Sequence, residues 1–476
     1  MAVKSPPEAD LSPSRTDPII RVASTVIGGP IGRYAVVGAR GAAGVASALI
    51  VMGAAMLALG VFQKGHCVVK GWVDPDQFWR ACYSDIVVVN VSSGLADRAL
   101  PYAGESPTDQ PLGGGLVMWA MSLISPHSGG DLTAQQWIFG LWALIAMVLV
   151  AAGVFALVAI APHRPWQAAH LAVSPVIAVL ALVSVDLCAI VLVIWALWAW
   201  HRRHPVACGL LLGLAFLFRP FPLIFVLAIV LLARRSGRTH HGMQVLISAA
   251  IGAIAIYVPF LLIVGDPLLT APRRWISSDP GNGALSIIPS LNGLAFSATM
   301  ALLVSLSGWV IAALVGWWLA ARALPQAPAP DQHADPHRRP APMASVHTVV
   351  AVAAPMMLIV MLTAKSVSVQ TGLWVLPFLA LSTLPWRDHL IWAAAEIVHF
   401  EAVWLHIGFS ADPGRGLPGD AYSVFIAARA MMWSWVLLRV WALRPPNEPP
   451  THRTPTAHAS AILPPAAQPT TATGTQ

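Results

Sequence analysis

Long apolar runs separated by short polar breaks recur along the chain from Gly41 to Leu443. Runs of about 17–25 apolar residues have the length that a helix needs to cross a bilayer. We therefore predict an all-α polytopic membrane protein with about twelve transmembrane helices. The predicted spans are residues 45–62, 136–160, 168–184, 186–200, 205–218, 220–234, 243–264, 291–320, 346–364, 370–385, 388–408 and 421–443.

Four segments outside these spans are polar or rich in proline. Residues 1–40 are predicted to form a cytoplasmic tail, and residues 63–110 the first extracytoplasmic loop. The segments 324–344 and 444–476 are predicted to be a disordered cytoplasmic linker and a disordered cytoplasmic tail. The transmembrane domain itself covers residues 41–443.

The apolar stretch 112–126 is the exception in this pattern. It is short for a span, and Gly113, Gly114 and Gly115 weaken its start as a helix. We predict a re-entrant or interfacial helix on the outer side. Alternating spans then place most Lys and Arg residues inside, as the positive-inside rule requires, and both chain termini in the cytoplasm.

Composition supports the same class of protein. Only 10% of the residues are charged and 57% are hydrophobic, whereas soluble domains carry roughly 25% charged residues. The net charge of +7 does not indicate a nucleic-acid partner, because the arginines lie in small clusters at the predicted helix ends and form no basic face. The expected partner is a lipid bilayer, in the plasma membrane.

The four cysteines fall into two groups. Cys188 and Cys208 lie inside apolar runs and are predicted to pack there. Cys67 and Cys82 share the first outer loop, on the side of the membrane where a disulfide persists. We assign this pair a structural role, and the sequence leaves open whether the two thiols form a bridge.

Ionisable and polar residues cluster at the outer boundary of the predicted bundle. An ionisable side chain at membrane depth is costly and indicates a functional site by default. Arg and Lys suit a phosphate, and a carboxylate suits a general base that accepts a hydroxyl proton. Together they predict a site for a lipid phosphate and a hydroxyl-bearing acceptor. The residues at this boundary are Asp85, Asp186, Arg219, Arg273, Arg274, Lys365, Gln370 and Arg429.

Several of these residues also have a structural explanation. Arg219 and Lys365 could extend to the lipid headgroups, and Glu396 with Arg429 could form an ion pair that locks two helices. His399 is typical of a hydrogen-bonded histidine inside a bundle. In the same way, the carboxylate at position 186 could cap the helix that follows it.

Motifs along most of the chain, from about Asp17 to Leu443, share an order and spacing with one known family. They are Cys82-Tyr83-Ser84-Asp85-Ile86, Ser184-Val185-Asp186-Leu187, Gly213-Leu214 through Arg219-Pro220-Phe221-Pro222, Ser368-Val369-Gln370-Thr371 through Leu373-Trp374, and Trp386-Arg387-Asp388 with Glu396. In this order they resemble the actinobacterial membrane glycosyltransferases of family 87, which belong to the polyprenyl-phosphate-sugar-dependent GT-C superfamily.

The resemblance implies a GT-C-like bundle with a large first extracytoplasmic loop, in which Asp85 is the general base of an inverting transfer. The donor would be a polyprenyl-phosphate sugar, mannose first and arabinofuranose next. The acceptor would be a hydroxyl of a cell-envelope glycolipid or glycan on the outer face. We assign donor-phosphate and substrate binding to Arg219, Asp186, Gln370, Lys365 and Arg429, and a structural role to Glu396.

Three positions depart from the family pattern. Asp109-Gln110-Pro111 replaces Glu-Tyr-Pro, Val185 replaces an aromatic residue, and Thr371 replaces Tyr. Two other functions therefore stay open: a lipid or solute transporter, and a catalytically inactive partner in envelope assembly. No metal-ligand cluster of credible spacing is present, so we expect no cofactor and leave a metal requirement open.

Overall fold

The computed structural model describes residues 17–28, 41–103, 106–323 and 343–443, and over these ranges the chain is helical, without a β-strand. Seven helices have the length and composition to cross a membrane. They are Gly41–Gln63, Leu132–Ile160, Thr239–Val264, Ala298–Ala323, Val346–Thr363, Trp386–Phe409 and Pro413–Ala442. The predicted all-α class is confirmed for these residues, and seven such helices support a polytopic membrane protein.

The α-helices are numbered in chain order. They are α1 (Pro18–Gly28), α2 (Gly41–Gln63), α3 (Gly65–Lys70), α4 (Asp76–Trp79), α5 (Asp85–Ser92), α6 (Leu112–Ile124), α7 (Leu132–Ile160), α8 (Ala169–Ala172), α9 (Pro175–Leu180), α10 (Asp186–His201), α11 (Pro205–Phe216), α12 (Pro222–Arg235), α13 (Thr239–Val264), α14 (Thr270–Ser277), α15 (Ile288–Leu291), α16 (Ala298–Ala323), α17 (Val346–Thr363), α18 (Leu376–Ala380), α19 (Trp386–Phe409) and α20 (Gly419–Ala442). Six short 3-10 helices lie at Leu95–Asp97, Pro165–Ala168, Asp266–Leu269, Leu285–Ile287, Val369–Val375 and Pro413–Arg415.

Seven of the twelve predicted spans contain a helix of full length, and the other five contain shorter helices. The region 168–184 is divided into α8 and α9 at Pro175, and the region 370–385 starts as a 3-10 helix. Even α10, with 16 residues, is only about 24 Å long, against a hydrocarbon core of about 30 Å. These five regions were predicted as spans from their apolar composition, which did not reveal where the helices break.

Burial separates the inner helices from the outer ones. In α10 the side chains of residues such as Leu187, Ile190 and Leu197 are fully buried, which explains an apolar sequence on every face of this helix. In α13 and α16, Leu262 and Leu314 are 80% and 58% exposed. Exposed side chains of this kind on helices of spanning length form a surface suited to lipid.

The stretch predicted not to cross the membrane forms α6, a helix of 13 residues. Its length of about 20 Å is too short for a span. Gly113 lets the helix start approach the turn after α11: a Cβ there would lie 2.8 Å from the Phe218 ring, and the Gly113 N–H donates to the Leu217 carbonyl at 2.9 Å. This glycine therefore serves close packing at the start of α6.

Three of the predicted polar segments fall largely outside the described residues, and of the segment 1–40 only residues 17–28 are described. The linker 324–344 is described only at its last two positions, and the tail 444–476 is not described. In the N-terminal segment, Asp17 accepts hydrogen bonds from the Ile19 and Trp386 backbone N–H groups, both at 2.9 Å. These bonds connect the start of α1 to the start of α19.

Candidate functional site

One cavity, with a volume of about 330 Å³, brings together residues from the first loop, the segment before α18 and helix α19. Asp85 and Gln370 lie on its wall, and the other predicted binding residues are not among its lining residues. The wall is formed by Phe78, Tyr83, Asp85, Val183, Asn282, Gly283, Ser366, Val367, Ser368, Val369, Gln370, His399, Val403, Trp404 and Ile407.

A larger groove of about 450 Å³ lies between the end of α6 and the first half of α7. It is lined mainly by apolar side chains such as Ile124, Trp137 and Leu144, and none of its lining residues is ionisable. The smaller cavity, which is lined by ionisable residues, is therefore the candidate site for acid–base chemistry.

Asp85 is the first residue of α5, and a helix N-terminus stabilises a carboxylate. Its backbone N–H donates to the Val183 carbonyl at 2.8 Å, and the Ser84 hydroxyl donates to the Leu182 carbonyl at 2.8 Å. These two bonds hold the start of α5 against the turn that precedes α10. The carboxylate thus comes from the first loop but is positioned by the bundle.

The electrostatic surroundings of Asp85 suit a base. Burial raises the pKa of Asp85 to about 6, hydrogen bonding by Tyr83 and the charge of Arg219 act to lower it, and the charges of Asp186 and Asp109 act to raise it further. A general base works best when its pKa lies near the operating pH. At neutral pH Asp85 is mostly ionised and still basic enough to take a hydroxyl proton.

Asp186, the first residue of α10, is buried and accepts three side-chain hydrogen bonds. Oδ1 accepts from Arg219 Nε at 2.8 Å and from the Ser184 hydroxyl at 3.0 Å, and Oδ2 accepts from Trp374 Nε1 at 3.0 Å. Both oxygens are therefore occupied by protein donors. Asp186 lies behind Arg219 and positions it.

Arg219 lies in the turn between α11 and α12, where Pro220 and Pro222 prevent the helix from continuing. Its side chain is 20% exposed and its Nε is bonded to Asp186. Among the described residues, no acceptor is within hydrogen-bonding distance of its two terminal nitrogens. Arg219 therefore presents two unused donors close enough to Asp85 to affect the pKa of that carboxyl.

Gln370 lies in the 3-10 helix Val369–Val375 and is 3% exposed. It lines the cavity, and its side-chain amide makes no hydrogen bond to the residues that the structure describes. Gln370 therefore shares the cavity wall with Asp85, and its role in substrate binding stays a prediction.

Arg429 and Glu396 are both 1% exposed and form an ion pair between α20 and α19, with Arg429 Nε 2.9 Å from Glu396 Oε2. Arg429 Nη2 also donates to the Val369 carbonyl at 2.7 Å, and Trp433 Nε1 donates to Glu396 Oε1. Glu396 thus lies in an ion pair between two helices, and its structural role stays a prediction. Arg429 is placed with it rather than with a phosphate, because its guanidinium is directed at the pair and at the Val369–Val375 segment.

Lys365 is also occupied by the protein. Its side chain is 1% exposed, and Nζ donates to the Ile276 carbonyl at 2.7 Å near the end of α14. The backbone carbonyl of Lys365 accepts from the Gly281 N–H at 3.0 Å. Lys365 therefore holds the 276–281 segment in place. It neither extends to the surface nor faces the cavity.

Two predicted cations of the 265–290 loop are exposed and paired with carboxylates. Arg273 makes two hydrogen bonds to Asp266, at 2.6 and 2.8 Å, and Arg274 lies 3.7 Å from Asp109. They are not lining residues of the cavity.

No family model matches this chain, and neither a curated protein nor a solved structure matches it. The resemblance to family 87 therefore depends on the motifs quoted above. Within the described ranges, no group of three or more His, Cys, Asp or Glu residues could hold a metal ion.

The disulfide that the sequence left open is formed between Cys67 and Cys82. Close to it, Trp72 Nε1 donates to the Cys82 carbonyl at 3.0 Å, and the Gln63 amide donates to the Ala81 carbonyl at 2.8 Å. The bridge closes the first loop immediately before Asp85. Cys188 and Cys208 are buried free thiols, as predicted.

Sequence reasoning did not identify Lys64 or the aromatic wall. Lys64 is fully buried, and its Nζ donates to the Tyr83 carbonyl at 3.0 Å; burial lowers the pKa of Lys64 to about 7. Tyr83 packs between Phe78 and Trp404, with ring centroids 5.6 and 4.8 Å away. The signal available was a lysine directly at the end of the first apolar run, but its partner is a backbone carbonyl that no sequence pattern reveals.

Proposed function

We propose that this protein is a membrane glycosyltransferase that moves a sugar from a polyprenyl-phosphate donor to a hydroxyl of a cell-envelope glycolipid or glycan. Mannose is the first candidate sugar and arabinofuranose the second. The observation that carries this proposal is the position of Asp85, a carboxylate with a raised pKa on the wall of a polar and aromatic cavity, beside the unused donors of Arg219.

The proposed reaction is a single displacement that inverts the anomeric centre. Asp85 takes the proton of the acceptor hydroxyl while that oxygen forms a bond to the anomeric carbon. The bond between the anomeric carbon and the phosphate oxygen breaks, and its electron pair leaves with the polyprenyl phosphate. Because a phosphate monoester has a second pKa near 6, this leaving group needs no strong acid.

Arg219 is proposed to bind the donor phosphate through its two terminal nitrogens, since a guanidinium suits phosphate oxygens in a two-point contact. Its charge would stabilise the negative charge that grows on the leaving group. Asp186 fixes the side chain through Nε and so pre-organises it. Gln370, whose amide lacks a protein partner, would contact the sugar or the acceptor.

The proposed setting is a GT-C-like bundle of about twelve transmembrane segments in the plasma membrane, with both termini cytoplasmic. The four short segments between α7 and α13, together with the segment 370–385 after α17, would account for the segments beyond the seven long ones. The Cys67–Cys82 bridge supports an extracytoplasmic cavity, because disulfides persist in oxidising compartments and this one lies three residues before Asp85.

The direct test is transfer by the purified protein in lipid nanodiscs, supplied with polyprenyl-phosphomannose or polyprenyl-phosphoarabinofuranose and an envelope glycolipid extract. We expect Asp85→Asn to lower the turnover number by about 10²–10⁴-fold, since that is the usual contribution of a general base. Asp97→Asn, which changes an exposed carboxylate of the same loop, is the matched control. Full transfer by Asp85→Asn would overturn the proposal, and movement of donor lipid without a covalent product would favour a transporter.

A further inference from the structure

His399 lines the cavity from α19 and is 1% exposed. Its Nε2 lies 3.2 Å from the Tyr422 hydroxyl oxygen, and that hydroxyl lies 2.6 Å from the Asn282 carbonyl oxygen. Its other ring nitrogen, Nδ1, is buried without a hydrogen-bond partner among the described residues. A buried polar atom left in this state destabilises a protein unless a ligand or a water molecule satisfies it.

The donors and acceptors around His399 determine which of its ring nitrogens carries the proton. The Asn282 carbonyl only accepts, so the single proton of the Tyr422 hydroxyl is donated to it. The hydroxyl oxygen must then accept from His399, which places the ring proton on Nε2. A second ring proton would place a charge on a side chain that is only 1% exposed, which is costly. Nδ1 is thus a bare acceptor.

An unprotonated ring nitrogen can only accept a hydrogen bond, so it binds a ligand group that carries a proton and disfavours a group that carries only acceptor atoms. A phosphate group at neutral pH offers only acceptor oxygens, and the lone pairs of these oxygens would repel the lone pair of Nδ1. A sugar hydroxyl carries a proton and can donate it. Tyr83 and Trp404 line the same cavity as His399, so part of the wall around the sugar is aromatic.

We propose that His399 is the residue that recognises the transferred sugar, with its Nδ1 accepting a hydrogen bond from one ring hydroxyl of a monosaccharide bound in this cavity. This inference rests on the proposed function and deepens it. It divides the site into a sugar subsite at His399 and a phosphate subsite at Arg219. His399 is then a specificity residue and takes no part in proton transfer.

Two substitutions separate this role from a structural one. The side-chain amide of Gln reaches the position of Nε2, so His399→Gln keeps a donor for Tyr422 and loses the acceptor. The side-chain amide of Asn reaches the position of Nδ1, so His399→Asn keeps the acceptor and loses the bond to Tyr422. His347→Gln is the matched control, because His347 lies near the start of α17 and is not a lining residue of the cavity.

The experiment measures binding in the Asp85→Asn background, where the donor is not consumed, to polyprenyl-phosphomannose and to a set of analogues that each lack one ring hydroxyl. The arabinofuranose donor and its analogues form a second arm. With His399 present, we expect one analogue to bind about tenfold more weakly than the parent sugar. His399→Gln should bind the parent as weakly as that analogue, whereas His399→Asn should keep the discrimination.

The proposal is overturned if every analogue shows the same ratio to the parent sugar in the His399 and Gln proteins, or if Asn loses the discrimination and Gln keeps it. Should His399→Gln fail to fold, Tyr422→Phe provides the second test. It removes the acceptor for Nε2–H, lets the ring proton move to Nδ1, and should also weaken binding of the parent sugar. A transfer assay in which Asp85→Asn is fully active would refute the proposed function instead, so the two failures are distinguishable.

Discussion

Two arginine–carboxylate pairs lie in the site region, and they differ in how many guanidinium N–H donors remain free to bind a ligand. The Arg219–Asp186 and Arg429–Glu396 contacts are nearly identical in length, 2.8 and 2.9 Å. Arg219 is 20% exposed on its side chain and keeps two terminal nitrogens without a described acceptor. Arg429 is buried, with Nη2 bonded to a backbone carbonyl.

An ionisable residue at membrane depth therefore does not identify a functional site by itself. Each pair combines an arginine with a carboxylate 33 positions away in the chain. Two properties distinguish a pair that presents a cation to a ligand from a pair that holds two helices together. They are the number of unbonded guanidinium donors and the exposure of the arginine side chain. The predictions below test that separation.

The largest effect should follow from Arg429→Gln. This change leaves the Glu396 charge buried without a compensating cation, and breaking such a pair destabilises a protein by about 3–5 kcal/mol. We expect a large drop in the thermal unfolding midpoint in detergent and a low yield of folded protein. A midpoint equal to that of the unchanged protein would show that Arg429 does not stabilise the bundle.

Arg219→Gln should lower the unfolding midpoint only slightly and should lower the rate of transfer strongly. The amide still has a donor for Asp186, which also keeps its bonds from Ser184 and Trp374, so we expect a smaller drop in the unfolding midpoint than for Arg429→Gln. Transfer should fall by about 10²–10³-fold, as for other lost transition-state donors. A variant with normal turnover would remove Arg219 from the phosphate subsite.

Gly372→Ala tests whether the Arg429–Glu396 pair positions the cavity wall. A Cβ at this position would lie 2.5 Å from Glu396 Oε2, so the Val369–Val375 segment must shift. Such overpacking destabilises a protein by about 1–3 kcal/mol, and Gln370 should move with the segment. We expect a higher KM for the donor as well as a lower unfolding midpoint. Unchanged values of both would contradict the positioning role.

The smallest effect on donor binding should come from Lys365→Gln. Its Nζ is already bonded to the Ile276 carbonyl, so we expect a moderate loss of stability and little change in the KM for the donor. A rise in that KM as large as the rise for Arg219→Gln would return Lys365 to the phosphate subsite.

The sequence predicted the long helices because a run of more than about 20 apolar residues has few other structures available. It also predicted that residue 85 and residue 370 belong to one outer site, and both line the same cavity. The breaks at Pro175 and at Val369–Val375 were missed because these segments are as apolar as the spans around them.

The roles of individual cations were the least predictable part. Lys365 and Lys64 bond backbone carbonyls at Ile276 and Tyr83, and a carbonyl is present at every position of a sequence. A pattern of residue types therefore carries no information about which lysine is occupied by such a partner. The partner of Nε2 in His399 was hidden for a different reason, since Tyr422 lies on another helix and no spacing in the sequence connects the two.

The central claim is that Asp85 accepts the proton of the acceptor hydroxyl, and the pH dependence of kcat/KM tests it most directly. Since burial raises the pKa of Asp85 to about 6, we expect kcat/KM to rise about tenfold per pH unit below that value and to level off above it, with no such inflection in the residual activity of Asp85→Asn. An Asp85→Asn protein with the same inflection and the same plateau as the unchanged protein would contradict the account.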